Sequence, residues 1–322
     1  FPWVNRYRKA KEQYQKLIPS IRKDNILKRR TPERLIAGLI AASILAKCGC
    51  ELRGVPGFFR IDGVWCFNLE PGMLIPTRNA VGQIVALQVR RDKPSDWNDY
   101  CKRTGQNKEF LRYMTISAKG LPDGVTTDIS QAHFPLGNDS LDDPETAVCI
   151  TEGPLKADAA VELKGNRKMF FIALHGTSNT KTLPAIFAWL KGKGVETVFN
   201  VFDMDKVTNV NVAKAGKRVR AIAAGYGIKL AEKCWDAEYA QQKLSELNAI
   251  CCEHGIFVPT TFNVFTDLAN VSQELAKRNI RHSRVKNADG LEEKHYWSDK
   301  TKGIDDYLLS IRTATGGEGA SA

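Results

Sequence analysis

The run VETVFNVFDMDK, residues Val195 to Lys206, carries strand-forming apolar residues up to two aspartates one residue apart. Valine, phenylalanine and threonine suit a pleated, buried surface, so the run reads as a β-strand with Asp203 and Asp205 at its tip. Aspartate is a favoured helix N-cap, but one would suffice. Side chains at i and i+2 of an extended segment share a face, which predicts that the two carboxylates lie close together. At about 4 Å and an effective dielectric near 20, two such charges repel by roughly 4 kcal/mol. A bound cation offsets that repulsion, and a cap or turn is the competing reading of the same pair.

The flanks extend the pattern in both directions. Upstream, TAVCITEG (146–153) and KMFFIALHG (168–176) read as strands, and PLKADAAVELKG (154–165) and LPAIFAWLKGKG (183–194) as helices, with Pro154 at a permitted first-turn position. Downstream, VAKAGKRVRAIAAGYG (212–227) reads as a basic helix, and IKLAEKCW (228–235) follows it. Strands alternating with helices at this spacing imply βαβ units and a mostly parallel sheet with helices on both faces. Ligands of such sheets bind at the carboxyl ends of the strands. Those ends carry Thr151-Glu152-Gly153, His175-Gly176-Thr177 and Asp203-Met204-Asp205. Gly153 and Gly176 permit tight turns there, and His175 reads as a loop or core histidine rather than a base. Lys214, Lys217, Arg218 and Arg220 suit either a phosphate backbone or a solvated helix face. Beyond Ala237 two further helical segments, a basic hairpin-like piece (280–299) and a turn and helix at KGIDDYLLSI (302–311) precede a glycine-rich tail.

The 322 residues, 43% hydrophobic and 26% charged, describe a folded chain of about two domains. The alternating pattern begins after LDDPE, which reads as a linker, so the expected division is 1–145 and 146–322. The first part mixes a helix with short β-rich runs, and RNAVGQ (78–83) reads as a turn between two strands. It is an α+β domain, smaller than the second and strongly basic. The net charge is +11, and the first fifty residues hold twelve Lys and Arg against three acids, with tyrosines interleaved. That suits nucleic-acid backbone contacts with stacking, or a solvated helix face. The eight cysteines form no CxxC pair, which argues against a zinc site and for a reduced, cytoplasmic compartment. The apolar run LIAGLIAASILAK (35–47) is too short to span a bilayer and reads as a buried helix. The chain starts with FPWVNRYRKAKEQ, without an initiator Met or a signal-peptide pattern, as a fragment of a longer chain would.

Glu152, Asp203 and Asp205 together make an oxygen-rich site at the ends of two strands of one sheet. Hard oxygen ligands suit Mg²⁺ or Mn²⁺, which keep several waters and share coordination with a substrate phosphate, so phosphoryl transfer is the matching chemistry. On these residues the chain resembles the TOPRIM family of bacterial primases, topoisomerases, OLD-type nucleases and RecR-type repair proteins. CITEGPLKADAA (149–160) is similar to the family's glutamate motif and FNVFDMDK (199–206) to its Asp-x-Asp motif. IALHGTSNT (172–180) resembles the strand and glycine turn between those motifs in primases. MLIPTRNAVGQIVALQVRRD (73–92), followed by LRYMTIS (111–117), is similar to the basic subdomain before TOPRIM in the primase polymerase core. DMDKVTNVNVAKAGKR (203–218) and the closing KGIDD look most like the primase-like TOPRIM variant of phage and plasmid replication proteins, often fused to a helicase. The likeness covers roughly Gly72 to Ser310 and is strongest from Cys149 to Lys217.

The resemblance implies a TOPRIM-like Rossmannoid fold and a primase that extends a primer 3′-hydroxyl on a single-stranded DNA template with NTPs. A replicative helicase is the implied partner, fused or separate, and nothing implies a membrane. Glu152 is implied as metal ligand or acid-base residue, Asp203 and Asp205 as the Mg²⁺ ligands, and Asp305 and Asp306 as a further metal site or its water shell. Arg112 and Tyr113 stand where primases place a basic-aromatic pair near the incoming nucleotide, and Arg78, Arg90 and Arg91 would line the template groove. Lys156 stands where the family carries an acid four residues after its glutamate, so one metal contact is lost or a cation replaces a metal charge, and Lys156 is expected to face nucleotide or DNA. The zinc ribbon that the family places upstream has no counterpart in these cysteines. A non-catalytic module that docks DNA or a helicase, and a TOPRIM nuclease, are the alternatives.

Overall fold

The structure is a computed structural model that describes residues 2–68, 71–92, 111–128, 130–280, 284–286, 292–294, 297 and 301–314. The chain divides into two units, one of residues 1–77 with 84–129, the other of 78–83 with 130–322.

The first unit opens with helix α1 (Pro2–Lys23), which buries Ala10, Leu17 and Ile21 along one stripe. Tyr14 packs on the same core, so only Tyr7 of the two tyrosines stays half exposed for stacking. Helix α2 (Pro32–Lys47) starts where Thr31 accepts a hydrogen bond from the Arg34 amide at 3.4 Å and Pro32 fixes the first turn. The helix expected from 35–47 is present and buries Leu35, Ile36, Leu39 and Ala42, but Ser43, Leu45 and Ala46 are exposed. Strands β1 (Phe58–Ile61) and β2 (Val64–Phe67) form a hairpin whose turn residues, Asp62 and Gly63, have φ of 48° and 80°. Gly38 of α2 faces β2 so closely that a Cβ there would stand 2.2 Å from the Phe67 carbonyl oxygen. A second sheet has the order β3 (Gly72–Arg78), β4 (Ile84–Arg91) and β5 (Tyr113–Thr115). Asn79 Oδ1 closes the β3–β4 turn by accepting from the amides of Val81 and Gln83 at 3.1 and 2.9 Å, so the expected turn is present.

The second unit is an α/β layer of the expected class. It runs β6 (Ala147–Glu152), α3 (Pro154–Leu163), β7 (Met169–Leu174), α4 (Leu183–Gly192), β8 (Thr197–Asn200), α5 (Val210–Gly225), β9 (Lys229–Glu232), α6 (Ala237–Glu253) and α7 (Val264–Lys277). The strand order is β7-β6-β8-β9 and every pairing is parallel. Alternate residues of β7 feed opposite cores. Phe171 and Ala173 join residues of α3, α6 and α7, whereas Phe170, Ile172 and Leu174 join residues of α4 and α5. Covering both faces is why these strands read as unbroken apolar runs in the sequence. Each fully buried Phe, Leu or Ile contributes about 1.5–3 kcal/mol against the entropy of ordering the chain. Strands β10 (Arg284–Lys286) and β11 (Glu292–Lys294) pair as the expected antiparallel hairpin, and α8 (Ile304–Ala314) docks Ile304 and Leu308 on the first of the two cores.

Residues 130–145, like 78–83, group with the second unit. The stretch 130–145 does so because it lines the outer edge of β7. His133 and Ala173 exchange backbone hydrogen bonds at 2.8 Å each, Asn138 pairs with the Phe171 backbone, and Asp139 Oδ2 accepts from the Met169 amide at 2.6 Å. The supposed linker is itself anchored, with Asp143 in an ion pair to Lys168 at 2.8 Å. Among the described residues the cysteines are free thiols, and no described helix is long and apolar enough to cross a membrane.

Candidate metal centre

Glu152 is the last residue of β6, opposite Leu174 in the parallel register. The chain then leaves the sheet through Gly153, whose φ of 82° is accessible to glycine without strain and whose amide donates to the Leu174 carbonyl at 2.7 Å. On the neighbouring strand, the Val201 amide donates to the Ile150 carbonyl at 2.9 Å, which keeps the chain beside β6 past the end of β8. Buried Asn200 then accepts from the Phe202 amide at 3.1 Å and turns the chain. A single 3₁₀ turn, Met204–Val207, follows.

Asp203 and Asp205 therefore flank the start of a helical turn and are not successive positions of one strand face. The expected proximity holds by a different geometry, set by the Lys206 amide closing on the Asp203 carbonyl at 2.9 Å. Asp203 precedes that turn, yet its side chain makes no capping bond. The two aspartates are 2% and 5% exposed. One carboxylate oxygen from each of Glu152, Asp203 and Asp205 lies within 4.8 Å of the others.

Two lysines meet this cluster. Lys156, in the first turn of α3, binds Asp203 Oδ1 directly and lies 3.8 Å from Glu152 Oε1. A lysine there faces the positive end of the helix dipole, so the carboxylates are what hold it. Lys302 lies 3.6 Å from Asp203 Oδ2 and 3.6 Å from Asp205 Oδ2, and its carbonyl anchors the Met204 amide at 2.8 Å. Asp205 Oδ1 remains buried with no hydrogen-bond partner. A buried carboxylate oxygen without a donor is costly, and with the hard-oxygen donor set around it the site fits a divalent cation.

The electrostatics agree with the geometry. Burial foremost, and then the Asp203 charge, push the Glu152 carboxyl up to about 8 against the pull of Lys156. Burial likewise raises Asp205, with Lys302 opposing. Burial works against the Lys156 charge, but Asp203 and Glu152 outweigh it and its pKa rises. The site is short of positive charge even with both lysines in place.

Asp305 and Asp306 open α8 and play different parts. Asp306 Oδ2 accepts from the Gly303 amide at 2.9 Å, the reach-back half of a capping box. Asp305 Oδ1 is buried without a partner, and burial foremost, then Asp306, raise its pKa, with Lys156 opposing. Neither belongs to the cluster of oxygens within 4.8 Å.

In the first unit Arg90 stands opposite Tyr113 across β4 and β5, and the Arg91 amide donates to the Arg112 carbonyl at 2.7 Å, so these four residues come together at one end of a ladder. Arg90, Arg112 and Tyr113 are exposed. Arg78 belongs to the other unit, where its amide donates to His133 Nδ1 at 3.1 Å. On α5, Arg220 pairs with Glu232 at 2.6 Å.

Three residues escaped the sequence reading. Lys302 sits in the quoted KGIDD run but carried no signal of its own. Lys206, 7% exposed, donates to the carbonyls of Asn200 and Lys233 at 2.8 and 2.7 Å and so braces the turn after β8. His133, fully buried, bridges the Arg78 amide to Asp158, 2.9 Å from Nε2.

No protein-family model matches the chain, and no curated protein matches it. Among solved structures, the crystal structure of the Aquifex aeolicus primase, comprising its zinc-binding and RNA polymerase domains, is similar at a TM-score of 0.40 and 12% identity. The match covers 85% of this chain and 59% of that one, so this chain spans less than two thirds of its neighbour.

Proposed function

We propose that the chain is a primase-like nucleotidyltransferase, with a metal-dependent phosphoryl-transfer site in the second unit and a single-stranded DNA surface on the basic first unit. The observation that carries this reading is the convergence of Glu152, Asp203 and Asp205 within 4.8 Å at the carboxyl ends of adjacent parallel strands. Bound Mg²⁺ or Mn²⁺ would neutralise the phosphates of an incoming NTP and activate a primer 3′-hydroxyl for attack on the α-phosphate, with the α–β bond breaking and pyrophosphate leaving. Asp203 and Asp205, almost fully buried, would hold the ion. Glu152, with a side chain 21% exposed, is placed to meet the attacking hydroxyl as ligand or proton acceptor. Asp305 adds charge beside them, and Asp306 fixes the helix that presents it. On the first unit Arg90 and Arg91 are proposed to track the template, with Arg112 and Tyr113 beside them, and Arg78, on the second unit, is proposed as a separate contact to DNA. The biological setting this fits is phage or plasmid replication beside a fused or separate helicase.

The test is template-dependent incorporation of labelled NTPs on single-stranded DNA with Mg²⁺ or Mn²⁺. Incorporation by the wild type that disappears in Glu152→Gln supports the reading, and no incorporation under any metal overturns it. One observation favours a second reading, a non-catalytic module that docks DNA or a helicase: Lys156 and Lys302 already offset most of the acidic charge. Single-stranded DNA binding with neither metal binding nor incorporation selects that module.

A further inference from the structure

Resting on the metal reading above, we infer that the nucleotide-free chain binds one divalent cation, not two: the ion takes the place of the Lys302 ammonium between Asp203 and Asp205, while Lys156 stays as a built-in second cation.

The two lysines are held differently. Lys156 hydrogen-bonds Asp203 Oδ1 and also faces Glu152 at 3.8 Å, from a helix whose Ala157 and Ala160 are fully buried in the core. Any second ion would have to share those same two carboxylates, and the ammonium already stands against them. Lys302 lies 3.6 Å from each of its two oxygens, beyond hydrogen-bond range, so charge alone holds it. Its side chain is 35% exposed against 31% for Lys156, so the difference between the two lies in the bonds they make and not in their access to water. Behind Lys302, Asp205 Oδ1 is buried and unpartnered, an oxygen that this lysine does not satisfy and an ion in its place would.

The charges point the same way. With all three carboxylates ionised, the state in which they can ligate an ion, two ammoniums leave one negative charge in the cluster. Exchanging Lys302 for one divalent cation brings the cluster to neutrality, and a second divalent cation beside Lys156 would leave two positive charges in excess in a buried site, an arrangement that burial penalises.

The test is a Mn²⁺ titration of the full chain without nucleotide, with free Mn²⁺ read by electron paramagnetic resonance. The wild type is expected to bind one Mn²⁺. Lys302→Gln should keep that stoichiometry and bind about tenfold tighter, because a competing charge about 4 Å away is gone. Lys156→Glu should bind two, since it converts the resident cation into a ligand. Two Mn²⁺ or none on the wild type, or unchanged affinity in Lys302→Gln, overturns the inference. Should Lys156→Glu fail to fold, shown by its circular dichroism, the other two titrations decide alone. Primer synthesis by a chain that binds two ions would sink this inference and keep the proposed function. One ion with no synthesis would do the reverse.

Discussion

The Lys156 ammonium meets Asp203 Oδ1 across the gap between helix α3 and the turn after strand β8, so the most buried carboxylate of the cluster is already paired before any metal arrives. This decides what neutralising the aspartates does. On sequence grounds alone, replacing Asp203 and Asp205 by Asn relieves up to roughly 4 kcal/mol of repulsion and stabilises the apo protein. With Lys156 and Lys302 present the sign reverses, because two ammoniums lose their partners. Removing one side of a fully buried pair costs about 3–5 kcal/mol. Both lysines are about a third exposed, so water recovers much of that and a loss of about 1–2 kcal/mol is expected. Urea unfolding of the double variant should show this loss together with complete loss of Mn²⁺-dependent stabilisation. A more stable variant, or one that Mn²⁺ still stabilises, contradicts the pairing.

The cluster of Arg90, Arg91, Arg112 and Tyr113 makes a prediction about salt. If these arginines touch template phosphates, affinity for single-stranded DNA falls with a log–log salt slope of about −0.7 per contact. Arg90→Ala and Arg112→Ala should each weaken binding across unrelated sequences and flatten the slope by nearly one contact. Fluorescence anisotropy with a labelled oligonucleotide between low and moderate salt measures both. Variants with unchanged slopes would place the DNA elsewhere, and the exposed cations of α1 are then the next candidates.

What the sequence carried, and what it did not, follows from how local each signal is. Val148, Ile150, Phe170 and Ile172 face one helical layer and Cys149 and Phe171 the other, so their strands appear as apolar runs. The acidic trio was legible because a charge at the end of such a run interrupts it. Lys302 was not: it reaches Asp203 and Asp205 only through the return of the chain at α8, and a lone lysine before a glycine looks like any turn. The grouping of residues 130–145 was not legible for a related reason. Their hold on β7 runs through backbone groups of His133 and the side chains of Asn138 and Asp139, and backbone pairing to a sheet edge leaves no apolar periodicity to read.

His175 gives a pH dependence that is independent of any metal. Burial foremost, and then the neighbouring His133, push its pKa down from 6.5 to about 4. Between those values the unfolded chain binds the proton and the folded chain does not, so stability rises with pH. The contribution is complete above about 6.5 and is lost as pH falls through about 4. Allowing for the partial exposure of the ring, it amounts to about 1–2 kcal/mol. Thermal unfolding of His175→Asn should vary less across that window than the wild type. Equal pH profiles would mean that the imidazole is solvated in the folded state.

The two acids that open α8 separate a cap from a charge that serves the site. Asp306 accepts from the Gly303 amide at 2.9 Å, so Asp306→Ala removes a cap bond and should cost about 1 kcal/mol. The residues it fixes lie next to Lys302, the cation set against Asp203 and Asp205, and a looser helix start leaves that lysine easier to displace. Mn²⁺ affinity in Asp306→Ala should therefore be kept or slightly raised. Asp305 shows the opposite profile. Its Oδ1 is buried without a donor, and burial already disfavours its charge, so Asp305→Asn removes a liability and should leave stability unchanged or higher. It also removes a negative charge within electrostatic reach of Lys156, which makes the field at the cluster less negative and should lower Mn²⁺ affinity several-fold. Urea unfolding and a Mn²⁺ titration on the two variants read both axes. Opposite movements of stability and affinity assign Asp306 to the fold and Asp305 to the site. If Asp306→Ala loses the metal without losing stability, Asp306 is itself a ligand, and its bond to Gly303 must give way when the ion binds.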